Sequence, residues 1–327
     1  MTRVETSVTT ANWLFAPKLH IEKSQSATYL GLDFEIVGPP NAPVVVVLGG
    51  ISASKHVTSS IGDPRAGWWE DFAGPGRTID TNRFRILSID YREEGVSGGQ
   101  LTTSDQARAL AKALDSARIE SVHAIVGASY GGMVALAFAA IAPVRVHRLI
   151  VIGAAHESAP IATALRLLQR RVVELGIETG RSREALVLAR GIAMTTYASA
   201  DEFGRRFHTV DGSDAGERGS AIGDFLGECG ETFARTCTPQ RFLAVSESLD
   251  SHQVRPDDIR VPTTLIAVRE DTLVPVEQAR YLARNLGGPC RLVELSSSQG
   301  HDTFLNAHDL IAPFVADALA TPNGIES

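Results

Sequence analysis

Ser129 stands in the run Val126-Gly127-Ala128-Ser129-Tyr130-Gly131-Gly132, a G-x-S-x-G pattern. A serine hydroxyl attacks an acyl carbon only if a base takes its proton and a carboxylate orients that base. The pattern is short, so its context decides. The apolar run VHAIVG, Val122 to Gly127, leads straight into it, and the small-residue run GGMVALAFAAIA follows. Strand, sharp turn and helix are what lift a nucleophile to the carboxyl end of a sheet, at a helix N-terminus that favours an anion. In folds built this way the triad follows the order Ser, Asp, His. Asp271 comes just after the apolar run TTLIAV, and His301 comes after CRLVEL. Ser129 is therefore expected as nucleophile, His301 as general base and Asp271 as its orienter. Asp271 could instead be a turn or cap residue, with Glu270 in its role. Nine histidines occur, and His301 stands in the loop directly after the last strand. The oxyanion hole needs two backbone N–H donors. Tyr130, next after the nucleophile, is one. The loop Leu48-Gly49-Gly50-Ile51-Ser52 supplies the other, expected at Ile51 with Gly50 as the alternative.

These residues need a sheet to hold them. Continuous β-branched runs at Asn41–Leu48, Arg83–Asp90, Val122–Gly127, Arg148–Gly153, Thr263–Val268 and Cys290–Leu295 suit strands buried on both faces of a parallel sheet. Ala27–Val37 alternates, which suits an antiparallel edge strand. Helical patterns intervene at Ser104–Ala117 with Ser104 as N-cap, Gly131–Ala142, Val276–Leu286 and Asp302–Leu319. Strand alternating with helix gives a doubly wound α/β fold with a mostly parallel sheet. Between residues 156 and 251 there are helical runs (Thr163–Gly176, Ser182–Ala198, Thr238–Leu249) and no convincing strand. The polar interval Asp211–Ser220 divides them. That segment far exceeds a normal crossover and is expected as an inserted helical cap on a core formed by residues 1–155 and 252–327.

The chain has 327 residues, is 44% hydrophobic and 21% charged, and carries a formal net charge of -7. The charge argues against a nucleic-acid partner. No apolar run approaches the roughly 20 residues of a membrane helix, and residues 1–24 lack a signal-peptide core. The three cysteines, Cys229, Cys237 and Cys290, form no C-x-x-C pair, which suits free thiols in a cytoplasmic protein. His56 has no second ligand at metal spacing in the sequence, so no metal is expected. No nucleotide-binding glycine loop is present, and no bound cofactor is expected.

Several stretches together resemble the homoserine O-acyltransferase family of the α/β-hydrolase superfamily. They are Gly127-Ala128-Ser129-Tyr130-Gly131-Gly132-Met133, Gly300-His301-Asp302-Thr303-Phe304-Leu305, Gly67-Trp68-Trp69-Glu70, Gly74-Pro75-Gly76-Arg77-Thr78-Ile79-Asp80-Thr81 and Lys55-His56-Val57. The likeness runs from about residue 44 to 315. It implies small-molecule substrates. An acyl group, acetyl or succinyl, passes from coenzyme A through an acyl-Ser129 intermediate to the hydroxyl of homoserine or a related amino acid. It also implies a homodimer. In the family a lid helix carries Tyr-Arg-Ser, whose arginine holds the amino acid's carboxylate. Here Thr196-Tyr197-Ala198-Ser199 puts Ala198 in its place, and Arg205 or Arg206, further along, could compensate. The family's glycine-rich stretch after Asp90 reads Tyr91-Arg92-Glu93-Glu94-Gly95-Val96-Ser97-Gly98-Gly99, where Arg92 could meet a carboxylate. Gly50, Arg92, Tyr197, Arg205 and Asp302 are thus candidate substrate contacts. Lys55 and Arg77 either attract the phosphates of coenzyme A or, the favoured reading, lie on the solvated surface, and Trp68 and Trp69 either line a channel or pack. The rival activity on the same triad is an esterase or thioesterase; a third possibility is a non-catalytic binding protein.

Overall fold

A computed structural model describes residues 20–21, 26–29, 32–95, 99–208 and 215–320. The strands are β1 His20–Ile21, β2 Ser26–Tyr29, β3 Leu32–Val37, β4 Val44–Leu48, β5 Ala73–Gly74, β6 Ile79–Asp80, β7 Arg85–Ile89, β8 Ala124–Ala128, β9 Leu149–Ile152, β10 Thr263–Val268 and β11 Cys290–Leu295. The helices are α1 Thr103–Ser116, α2 Tyr130–Ile141, α3 Pro160–Glu178, α4 Ser182–Tyr197, α5 Ala200–Arg206, α6 Ala215–Phe233, α7 Pro239–Asp250, α8 Val276–Asn285, α9 Thr303–Asn306 and α10 His308–Ala320. Among the described residues nine strands form one sheet in the order β1-β2-β3-β7-β4-β8-β9-β10-β11, and β5 and β6 form a separate pair. Pairing is antiparallel from β1 to β7 and parallel from β7 to β11.

The β-branched runs are explained by two cores, one on each face of the sheet. Val46 and Leu48 of β4 pack with α1, α2 and α8 on one side. Val45 and Val47, pointing the other way, pack with Trp69, Phe72, Ile79 and α10. A strand covered on both faces has no polar side to alternate with. The fold is α/β-hydrolase, with helices α3 to α7 and, among the described residues, no strand inserted between β9 and β10. These helices hold a small core of their own around Val173, Leu186, Phe233 and Phe242. The chain entering and leaving the insertion is stitched together, with the Val254 N–H donating to the His156 carbonyl at 3.0 Å.

Four sequence expectations change. Ala27–Val37 is not one edge strand but the hairpin β2–β3, because both strands keep the same two-residue alternation. The N-cap of α1 is Thr102, not Ser104: Thr102 and Asp105 form a reciprocal capping box. The expected helix at Asp302–Leu319 is two helices. The Trp69 indole N–H takes the Phe304 carbonyl at 2.8 Å, and Ala307 leaves helical conformation. The polar interval Asp211–Ser220 is not a divider throughout, since α6 begins at Ala215. Residues 209–214 and, within the N-terminal stretch 1–24, all but His20 and Ile21 lie outside the described residues. Neither α5 nor α6 was legible as a helix, because short polar and glycine-rich runs carry weak periodicity.

Candidate active site

Ser129 lies between β8 and α2 with φ +53° and ψ -121°. A non-glycine residue in the left-handed region is strained, and such strain persists only where the surroundings enforce it. The neighbouring glycines permit the turn. A Cβ at Gly127 would lie 2.4 Å from the Gly131 carbonyl oxygen, and one at Gly131 would lie 2.2 Å from the Leu48 oxygen. Only a bare backbone fits between the turn and β4.

His301 sits in the turn after β11, following Gly300 at φ +53°. Its Nε2 is 2.8 Å from Ser129 Oγ and its Nδ1 is 2.7 Å from Asp271 Oδ2. Asp271 follows β10 and is buried, and its Oδ1 accepts the Leu273 and Val274 N–H groups at 2.8 and 2.9 Å. Both carboxylate oxygens are therefore held, one by the backbone and one by the imidazole. Glu270, the alternative orienter, faces elsewhere: it accepts the Ser297 N–H at 2.8 Å and the Ser296 hydroxyl, bracing the histidine loop. Burial alone would lower the His301 pKa. The charge and hydrogen bond of Asp271 outweigh it and raise the pKa above the ordinary value. The arrangement can take a proton from Ser129 and hold the resulting imidazolium.

The loop after β4 runs beside the serine. A Cβ at Gly50 would sit 3.8 Å from Ser129 Cβ, and the Gly50 carbonyl accepts the Ala53 N–H at 3.0 Å in a tight turn. Gly50, Ile51, Ser129, Tyr197, His301 and Asp302 all line one cavity of about 80 Å³ under the helical insertion. The Tyr197 ring lies 5.8 Å from the His301 ring. Burial raises the Asp302 carboxyl pKa, offset in part by His301 and Arg190.

Three expected arginines do not reach this cavity. Arg205 is exposed and paired with Glu202. Arg206 lies over the Phe225 ring at 4.0 Å. Arg92 is tied locally, its Nε donating to the Glu94 carbonyl at 3.2 Å; residues 96–98 beyond it lie outside the described residues. Instead Arg190, missed from the sequence, lines the cavity. It donates to the Tyr197 hydroxyl at 3.0 Å and stacks over the Tyr197 and Phe233 rings. Among the described residues it pairs with no carboxylate. The signal was available: Arg190 precedes Tyr197 by two helical turns, on the same face of α4.

Other expected contacts lie away from the cavity. Lys55 faces Asp33 and Asp90, and Arg77 faces Asp71. Trp68 and Trp69 stack on each other at 5.0 Å, so they pack. His56 is not isolated. Folding brings Glu35 of β3 and Asp63 to it, with ligand-type atoms within 4.8 Å of one another. Its Nδ1 meets Glu35 at 2.9 Å and its Nε2 meets the Arg65 carbonyl at 2.9 Å, while Arg65 also grips Asp63. Glu35, on another strand, was invisible to spacing arguments, and Asp63, seven residues on, depends on how the loop folds. No helix among the described residues is long and apolar enough to cross a membrane, and all three cysteines are unpaired.

Residues 43–179 match the α/β-hydrolase fold family model. A homoserine O-succinyltransferase from Xanthomonas campestris pv. campestris is 38% identical over 293 residues, covering 89% of this chain and 79% of that one. A serine O-succinyltransferase from Litchfieldella anticariensis is 31% identical, covering 84% and 88%. The crystal structure of a homoserine O-acetyltransferase from Bacillus anthracis superposes with a TM-score of 0.80 over 94% of this chain and 96% of that one, at 17% identity, which is a likeness of fold. Relatedness along nearly the whole chain, on this fold and around this serine elbow, makes the chain a member of the homoserine O-acyltransferase family of the α/β-hydrolase superfamily.

Proposed function

We propose that the protein is an acyl-CoA-dependent O-acyltransferase that acylates the hydroxyl of homoserine or a related small amino acid. The observation that carries this is the composition of the cavity around Ser129. Beside a serine–histidine–carboxylate chain it holds Arg190, which pairs with no carboxylate among the described residues, and a half-buried carboxylate, Asp302. A small amino acid is a zwitterion, and Arg190 and Asp302 offer its complement: guanidinium for the carboxylate, carboxylate for the ammonium.

In the first half-reaction His301 takes the Ser129 proton and Oγ attacks the thioester carbon. The C–S bond then breaks, and coenzyme A leaves as the thiol with the proton from His301. Tyr130 N–H and an N–H of the Gly50–Ile51 loop stabilise the oxyanion. In the second half-reaction His301 deprotonates the acceptor hydroxyl, which attacks the acyl-Ser129 carbonyl. The proton returns to Ser129 as its ester bond breaks. The helices over the cavity keep water from the ester, which decides transfer over hydrolysis. No bound cofactor enters the cycle; acyl-CoA is a co-substrate and sets the reaction in the cytoplasm. Exposed apolar side chains along α3 and α4, among them Ile161, Leu168 and Leu188, support assembly as a homodimer.

The test is to supply acetyl-CoA or succinyl-CoA with and without homoserine or serine, following thiol release and product mass. Acceptor-dependent release with an O-acyl amino acid is expected, and Ser129→Ala should abolish it. Acceptor-independent release would make the protein a thioesterase. Unchanged turnover in Ser129→Ala would overturn the role given to the serine.

A further inference from the structure

Gln169 of α3 is a polar side chain in the cavity that the chemistry above leaves unused. It is only 5% exposed, it lines the cavity, and its amide has no hydrogen-bond partner among the described residues. A polar group held out of water with no partner is costly, so one that faces a cavity marks a place for a ligand. Two further donors share this end. Arg166, three residues earlier on the same helix face, also lines the cavity. Its Nε donates to Asp250 Oδ1 at 2.7 Å, and its Nη2 meets Asp250 at 2.7 Å and the Ser158 hydroxyl, while Nη1 has no partner among the described residues. Ser246 of α7, 1% exposed, accepts Arg170 Nη1 at 2.9 Å, which leaves its hydroxyl proton to donate into the cavity it lines.

Three donors at one end call for an acceptor, and the charge there calls for an anion. Asp250 faces both Arg166 and Arg170, so one positive charge is left over. Of the two carboxylates that line the cavity, Asp302 adjoins His301 and Glu157 faces His156 at 3.6 Å. After burial, Asp271 and Asp302, the Arg166 charge is the next influence on the His301 pKa, so this end lies close to the reacting atoms. Resting on the acyltransfer reading, we propose that Gln169, Arg166 and Ser246 form a subsite for a carboxylate at the far end of the acyl chain, which makes the donor a dicarboxylic half-thioester of succinyl length. An acetyl group brings a single methyl to this place and leaves Gln169 unpaired. The two ends of the cavity then have separate tasks. The acyl chain stays on Ser129 while the acceptor enters, so its tail needs a place apart from Arg190 and Asp302.

Butyryl-CoA is the neutral twin of succinyl-CoA, with a methyl group where the carboxylate stands. The first-turnover burst of thiol from acetyl-CoA, butyryl-CoA and succinyl-CoA is measured without acceptor. In the wild type succinyl-CoA should lead both others by about 100-fold or more in kcat/KM, because a site built to hydrogen-bond a group rejects the analogue that lacks it. Gln169→Leu keeps similar volume and removes the unpaired amide, so the melting temperature should not fall. In that variant the succinyl-to-butyryl ratio should drop about 10–100-fold, the value of one hydrogen bond to a charged group, with the acceptor KM unmoved. Equal bursts from butyryl-CoA and succinyl-CoA, or a lead for acetyl-CoA, would overturn the inference and leave acyl transfer standing. So would a Gln169→Leu variant that raises the acceptor KM at an unchanged donor ratio, since the carboxylate bound here would then be the acceptor's. No burst from any donor and no acyl mass on Ser129 in the wild type would sink the acyltransfer reading and this inference with it.

Discussion

The strained backbone of Ser129 and the short contacts of His301 define the behaviour of single residues here. The base acts only when neutral, and Asp271 raises its pKa. The rate should therefore climb as pH rises through a point above the ordinary histidine value near 6.5. In Asp271→Asn that raising influence is gone, so the acidic limb should move to lower pH while kcat falls by about 10⁴. A pH–rate profile of the burst checks both, and an unmoved limb would detach Asp271 from His301. Arg190 makes a different demand. If it clamps the acceptor carboxylate, Arg190→Gln should raise the acceptor KM by about 10–100-fold, the value of one charge-assisted hydrogen bond, and leave the donor burst unchanged. Weakening of the burst instead would place Arg190 on the donor side.

Elements matter here as clearances between backbones. The elbow works because α2 approaches β4 with nothing but hydrogen at Gly131. Gly131→Ala would drive a methyl group into the Leu48 carbonyl, and neither backbone can yield without moving the sheet. It should destabilise the protein by about 3 kcal/mol or prevent folding, read by chemical denaturation. Gly132→Ala, whose Cβ would first meet the Ala154 side chain at 2.6 Å, should cost less. Equal losses would mean that the turn relaxes.

The whole molecule is a two-faced sheet with a helical insertion over its carboxyl end, and closure rests on a few buried charges. Asp250 of α7 receives Arg166 at 2.7 Å and Arg170 at 2.6 Å, both from α3, and all three are largely buried. Arg166 also lines the cavity. Asp250→Asn would leave two arginines facing a neutral amide, a loss of about 3 kcal/mol. The insertion should then loosen and admit water, so acceptor-independent thiol release should rise relative to transfer. A fall in both at an unchanged ratio would show that closure does not control the partition.

Local order was enough to find much of this protein. Six parallel strands, the elbow serine, the carboxylate after β10 and the histidine after β11 were legible because a strand covered on both faces writes itself as a continuous apolar run, the edge strand β11 keeps a shorter run of the same kind, and each site residue stands at the end of one. The family resemblance was legible for the same reason, as contiguous motifs. What was not legible depended on approach through space. Arg190 rather than Arg205 reaches the cavity because helix phase, not nearness in sequence, sets which side chain faces the serine. His56 gained Glu35 only when β3 met the loop after β4, and Asp63 only when that loop folded back on itself. The choice between Asp271 and Glu270 was settled by which of two adjacent carboxylates the turn after β10 points at His301. Sequence carries periodicity and local turn chemistry, whereas side-chain convergence across elements exists only once the chain is packed.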